Sequence, residues 1–276
     1  MRIITRPRLL AGATLALALA GAMYYLGSAR ADDRGGSAVS ELRPASTKAS
    51  NLITGDGQDQ PQTMEAFLTD VTTDVDAYWE DVFEASKLPT PRVGYDWIPA
   101  GQTVSSVCGG ESGQLGDTAA AYCPGDDTIY ISQQFASDIY GGALDHALPG
   151  SSQGYGSTAG DFAVAYIVAH EYGHQVQDEL GLFDRYGDQV PTMNFELQAD
   201  CFAGNWAKSA ADQNRLEDGD LDEALNAVLA VGDFDASNPG HHGTPEQREE
   251  AWRTGYDSGK PASCDRYLQE AAPSGA

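Results

Sequence analysis

Positive charge is scarce in this chain. Lysine and arginine number 16 against 41 aspartates and glutamates in 276 residues, a formal net charge of −25. That balance excludes a nucleic-acid partner, because phosphate binding needs clustered Lys and Arg. An acidic surface keeps a protein soluble and says little about its fold. Histidine is rare too, at five residues, so any clustering of histidines needs an explanation. Cysteine is limited to four residues, an even number that allows three pairings. No internal repeat is visible. What remains is ample for a core: 41% of the residues are hydrophobic, and the length fits one large domain or two small ones.

The N-terminus reads as a targeting signal, residues 1–31. Arg2, Arg6 and Arg8 precede a charge-free apolar run from Leu9 to Leu26. Ala29 to Ala31 then has the small-x-small form of a cleavage site. The run is long for a signal and just long enough to span a bilayer, so a cleaved signal and an uncleaved anchor both remain open. Cleavage after Ala31 is the favoured reading. Both place the rest of the chain outside the cytoplasm, so a membrane enters only through this segment if it is uncleaved. Losing it removes four arginines and no acid, leaving a charge of −29. Outside the cytoplasm disulfides persist. Cys108 and Cys123 flank a short Gly-rich segment and form the expected local pair, which leaves Cys201 with Cys264.

Residues 32–60 are rich in Gly, Ser, Asp and Thr and read as a flexible linker. A domain over 61–270 follows. From residue 62, apolar residues from Met64 to Phe83 recur at helical spacing, and Leu88-Pro89 ends the run. Three strand-like segments come next, within 92–98, 103–107 and 128–132, with glycine-rich turns between them. "TIYIS" at 128–132 is either an edge strand open to an extended peptide or an ordinary internal strand. A soft Gly/Ser-rich region covers 140–160 and contains His146. Helices dominate afterwards. One starts at Asp161 as N-cap and ends at Gly181, and others cover 194–211 and begin at Asp220. Thr244-Pro245-Glu246-Gln247 forms a capping box with proline at the first helical position. The fold class is therefore α+β, mainly helical.

The chemistry concentrates in "VAHEYGHQVQDE", residues 168–179. Residues four apart share one helix face, so His170 and His174 can reach a single Zn²⁺. Glu171 sits beside them, placed to take a proton from a zinc-bound water. A catalytic zinc needs a third protein ligand. Glu196 in "ELQAD" is the candidate, and Asp200, one turn on, is placed to accept the free N–H of a ligand histidine. Cys201 lies about 140° around that helix from Glu196 and faces away from the metal. Gly173 allows another segment to approach closely.

Several separate segments in order complete the picture: "GDFAVAYIVAHEYGHQVQ", "ELQADCFAGNWA", "GDLDEALNAVLAVGD", "HGTPEQR" and "YCPGDDTIYIS". Together they resemble the neutral zinc metallopeptidase family of bacteria, over about 60–268. The resemblance implies a zincin-like domain with a small N-terminal sheet, a two-histidine helix and a glutamate-ligand helix. Gln175 stands where many relatives have another histidine, and Pro245 is a mild variation at a helix start. His242 and Arg248 are spaced like a His-x₅-Arg element in membrane-embedded prenyl-protein zincins. By that analogy His242 donates to the oxyanion, and Arg248 holds a nearby carboxylate or the substrate backbone. His241 reads as exposed.

The expected function is an exported zinc peptidase acting on peptide or protein substrates. Two other readings stay open: a catalytically silent zinc-binding module at the cell surface, and an amide hydrolase acting on cell-wall peptides.

Overall fold

Helix α1, Met64–Ser86, forms where the apolar stripe runs. Thr63 caps it by accepting the Ala66 amide, and Lys87 ends it in the left-handed conformation just before Leu88-Pro89. Its inner face buries Leu68, Val71, Val75, Trp79, Val82 and Phe83. The structure is a computed structural model that describes residues 39, 42, 63–144, 147–153 and 160–271. The targeting segment, most of the expected linker and His146 lie outside the described residues. Within the linker range, Val39 and Leu42 are both buried in the main core, so a plain linker is too simple there. Burial of these two apolar side chains outweighs the polar composition around them.

A small sheet follows, with strand order β1-β5-β4. Strand β1 is Gly94–Ile98, β4 is Ala120–Cys123 and β5 is Thr128–Ser132. The first pairs parallel with β5, and β4 pairs antiparallel with it, Tyr122 opposite Ile129. The "TIYIS" strand is thus internal. The edge that faces the helices is β4, which composition had hidden among turn residues. Two-residue strands β2 (Val104–Ser105) and β3 (Gln114–Leu115) form a separate ribbon. Cys108 is bonded to Cys123 and ties the segment that carries this ribbon to the end of β4. Helix α2, Gln133–Tyr140, follows β5 directly, because Ser132 caps it through the Gln134 and Phe135 amides.

The remaining helices enclose the centre. Helix α3 is Asp161–Glu179, α4 is Leu182–Tyr186, α5 is Thr192–Asp212, α6 is Asp220–Val231, α7 is Pro245–Ser258 and α8 is Arg266–Gln269. Residues 161–177 of α3 are all buried, so this helix has no solvent face. Its N-cap is Gly160 rather than Asp161, which becomes the first helical residue. The missing cap is supplied from α6, where Glu223 accepts the Phe162 amide at 3.1 Å. Gly181 takes the left-handed conformation just past the helix end. Among the described residues, no helix is long and apolar enough to cross a membrane.

Helices α5 and α7 cross on glycines. A Cβ on Gly255 would lie 1.8 Å from the Cys201 carbonyl oxygen, and one on Gly204 would lie 2.1 Å from the Trp252 carbonyl oxygen. Asn205 seals the crossing by donating to the Gly255 carbonyl at 2.7 Å, and the Cys201–Cys264 disulfide locks the same region. Arg248, Ala251, Trp252 and Gly255 form the face of α7 turned inward. The packing that seats Gly255 therefore also aims Arg248. Gly255→Ala should lower the urea-unfolding free energy by at least ~2 kcal/mol, as overpacking against backbone does. Glu250→Ala, on the exposed side of α7, should stay within ~0.5 kcal/mol of wild type. Wild-type stability in Gly255→Ala would show that the crossing is looser than described.

Candidate metal centre

Two neighbouring helices build the site. Helix α3 presents His170 and His174 on one face, their rings 4.8 Å apart edge to face. Glycine at 173 lets α5 come close, since a Cβ there would meet the Ala199 Cα and carbonyl oxygen at 3.0 Å. Ala199 lies between Glu196 and Asp200, so this contact brings both carboxylates to the histidines. Glu196 Oε2 lies 3.2 Å from His170 Nε2, and its Oε1 lies 3.5 Å from His174 Nε2. The three side chains are buried, and one donor atom from each falls within 4.8 Å of the others.

Each imidazole is oriented through its other nitrogen. His170 Nδ1 is 2.8 Å from Asp200 Oδ1 and His174 Nδ1 is 2.9 Å from Gln177 Oε1. Both partners are acceptors, so both Nδ1 atoms carry a proton and both Nε2 atoms are turned toward Glu196. Gln177 is fixed in turn by donating to the Phe195 carbonyl at 2.8 Å. Asp200 is fully buried, and it accepts from Tyr166 Oη at 2.7 Å, Arg248 Nε at 2.7 Å and Arg248 Nη2 at 2.9 Å. Of the two roles the sequence left to Arg248, the geometry supplies the carboxylate: Asp200 on α5.

The general-base candidate lies at the meeting of helix and sheet. Glu171 is buried, and its Oε2 accepts the backbone amide of Tyr122 on β4 at 2.8 Å. Ala120, Tyr122, Pro124, Ile167, Val231 and His242 line the cleft around it. The cleft holds about 590 Å³ of atom-free space, open solvent included. His242 is held by Asp233, which accepts its amide at 2.9 Å and its Nδ1 at 3.2 Å. The other oxygen of Asp233 accepts from His241 Nδ1. His241 is consequently buried, not exposed as its polar neighbourhood implied.

Electrostatics follow from this packing. Burial alone would raise Glu196, but His174, His170 and His242 outweigh it and hold the carboxyl well below its usual range. Burial would likewise raise Asp200, yet Arg248 and His170 keep it ionised. For His170 burial favours the neutral ring, but Asp200 and Glu196 win and lift it to about 9. Burial would also raise Asp233, and the His242 amide and His241 hold it low.

Two imidazole nitrogens and one carboxylate, with a position left toward an open cleft, are the donor set of a catalytic zinc. A second acidic group, Asp161, Asp220 and Glu223, contains only oxygen donors and no imidazole. Its hydrogen bonds serve the helix ends: Glu223 caps α3, and Asp220 accepts the Glu217 amide. Burial and the neighbouring acids lift Asp161 to about 7.

A histidine pair on one buried helix and a glutamate on the next define a zincin-like centre, in a mainly helical α+β domain with a small N-terminal sheet. The chain belongs to the family described as "Putative neutral zinc metallopeptidase", which matches residues 9–267. It is similar to the uncharacterized protein YpfJ of Escherichia coli K12, 38% identical over 165 residues, 53% of each chain. It is also similar to the uncharacterized protein Mb2605 of Mycobacterium bovis, 32% identical over 235 residues, 76% of this chain and 73% of the relative. The uncharacterized protein Rv2575 of Mycobacterium tuberculosis H37Rv matches to the same extent. The chain thus spans about half the length of the E. coli relative. No solved structure matches the chain.

Sequence reasoning missed Gln177, Tyr122, Tyr166 and Asp233. Gln177 carried a signal, since it lies three residues after His174 on the same helix face. Tyr166 carried one too, one turn before His170, whereas Tyr122 acts through its backbone amide and Asp233 comes from a loop distant in sequence.

Two outcomes follow for metal binding. Zinc uptake at neutral pH should displace about one proton from His170, so apparent affinity should rise about tenfold per pH unit between pH 6 and 8. Titration calorimetry in buffers of different ionisation enthalpy measures that proton. Asp200→Asn should bind zinc roughly 10–100-fold more weakly, as loss of a ligand-orienting carboxylate does. Equal affinity in Asp200→Asn would remove it from the site's support.

Proposed function

We propose that the protein is an exported zinc-dependent peptidase. The observation that carries this reading is Glu171. A site that only bound metal would need His170, His174 and Glu196, but not a buried carboxylate beside them at the cleft floor. Its bond to the Tyr122 amide fixes that carboxylate where β4 meets the site.

Zinc, when bound, supplies Lewis-acid polarisation of the scissile carbonyl and lowers the pKa of a water to near 7. The chain's own residues do the rest. β5 occupies only one side of β4, and on the other side Glu171 takes the Tyr122 amide, leaving the remaining main-chain groups of that edge to pair with an extended substrate backbone in this reading. Glu171 takes a proton from the attacking water and passes it to the leaving amine. His242, oriented through the bond from its Nδ1 to Asp233, donates to the developing oxyanion. Arg248 is a positioning residue, acting through Asp200 on His170. The two disulfides fit a domain outside the cytoplasm, and the substrate is a peptide or protein.

Wild type and Glu171→Gln, each loaded with zinc and incubated with unfolded protein, test the reading. Both should hold one zinc per chain, and Glu171→Gln should lose at least ~10²-fold in cleavage, as loss of a general base does. His242→Ala should lose about 10²–10³-fold in kcat with KM little changed. A zinc-loaded wild type that cleaves nothing would instead make the domain a silent metal-binding module.

A further inference from the structure

Beyond the metal, the cleft has a distinctive chemical makeup. Ile167 lies four residues before Glu171, on the same face of α3, so it sits one turn from the catalytic carboxylate. Val231 is the last residue of α6, and its carbonyl accepts from Arg248 Nη1 at 3.5 Å. Both side chains line the cleft, at 4% and 3% exposure, and Ala120 lines it from β4. They form a floor backed by the core rather than a mobile rim.

Glu171 and His242 line the same cleft and serve the reaction in the proposed reading, and the other charged groups there are committed to structure or metal. Arg248 is the one Lys or Arg among the described residues that line the cleft. Its guanidinium is spent on Asp200, Tyr166 and the Val231 carbonyl. Burial works against its charge, but Asp200 outweighs that and keeps it firmly protonated. Glu196 is likewise committed to the two imidazoles. A charged side chain, or a terminal carboxylate, placed against Ile167 and Val231 would be desolvated without a partner, which is strongly unfavourable. An apolar side chain there gains burial instead.

We infer that the floor made by Ile167 and Val231 is a specificity site that seats a bulky apolar side chain next to the scissile bond. The inference rests on the peptidase reading and names its substrate class: internal bonds flanked by Leu, Ile, Met or Phe in extended or unfolded chains. Such bonds are buried in folded proteins, so the site selects unfolded ones.

Cleavage-site profiling of the zinc-loaded full chain on a mixed peptide library tests this. Wild type should prefer Leu over Gly at one flanking position by roughly 10–200-fold in kcat/KM, the range a hydrophobic pocket supports. Ile167→Phe, which fills the floor, should reduce that ratio at least tenfold and favour small residues. Ile167→Ala should extend the preference toward Phe and Trp. Each variant's bound zinc and unfolding midpoint are measured alongside, so a misfolded variant is recognised, and Val231→Phe provides the same test from the other residue of the floor. Cleavage with no apolar preference, or a Leu-to-Gly ratio unmoved in all folded variants, overturns the inference and leaves the peptidase reading standing. Absence of any cleavage by wild type overturns both.

Discussion

Asp200 is the group on which the architecture turns. One buried carboxylate on α5 accepts from His170 on α3, Tyr166 on α3 and both donor edges of Arg248 on α7. Three helices are thus tied through two oxygens. A carboxylate with no solvent exposure survives because four donors converge on it, three on Oδ1 and one on Oδ2. The same bonds fix which nitrogen of His170 is free, and so convert packing into metal geometry. The glycine crossing of α5 and α7, and the glycine contact of α3 with α5, exist on the same scale: they let the helices approach closely enough for those side chains to meet.

Around this pin the charges are arranged in layers. Anionic Glu196 faces the two Nε2 atoms, anionic Asp200 backs one ring, and neutral Gln177 backs the other. A cation entering the cleft therefore meets one ligand carboxylate directly and a second through His170. Arg248 offsets the inner charge, 3.9 Å from Glu196 as well as bonded to Asp200. Asp233 repeats the arrangement in the loop before α7, where one carboxylate orients both His241 and His242.

Much of this was legible in the sequence, for definable reasons. Periodicity and capping residues located α1, α3, α5, α6 and α7, because those helices bury apolar faces and carry strong end signals. The i, i+4 histidines and "ELQAD" named the metal-facing groups, since helical spacing converts directly to a shared face. Other parts carried little signal. Strand β4 is four residues among turns, and its contribution to Glu171 is a backbone amide that any residue but proline could supply. Asp233 sits in a loop whose partners lie eight and nine residues later, with no periodicity to reveal them. The cap of α3 comes from Glu223 on another helix, so Asp161 looked like the cap because local sequence alone was in view. Val39 and Leu42 are isolated apolar residues in a polar stretch, and only tertiary packing gives them a role.

The central claim is that His170, His174 and Glu196 together hold one zinc ion. Anomalous diffraction at the zinc edge, from crystals of the zinc-loaded protein, tests it most directly. The account predicts a single strong peak at about 2.0–2.2 Å from His170 Nε2, His174 Nε2 and a Glu196 oxygen, with Asp200 bonded to His170 behind it. A fully occupied peak elsewhere, such as among Asp161, Asp220 and Glu223, or no peak between the two histidines, would contradict it.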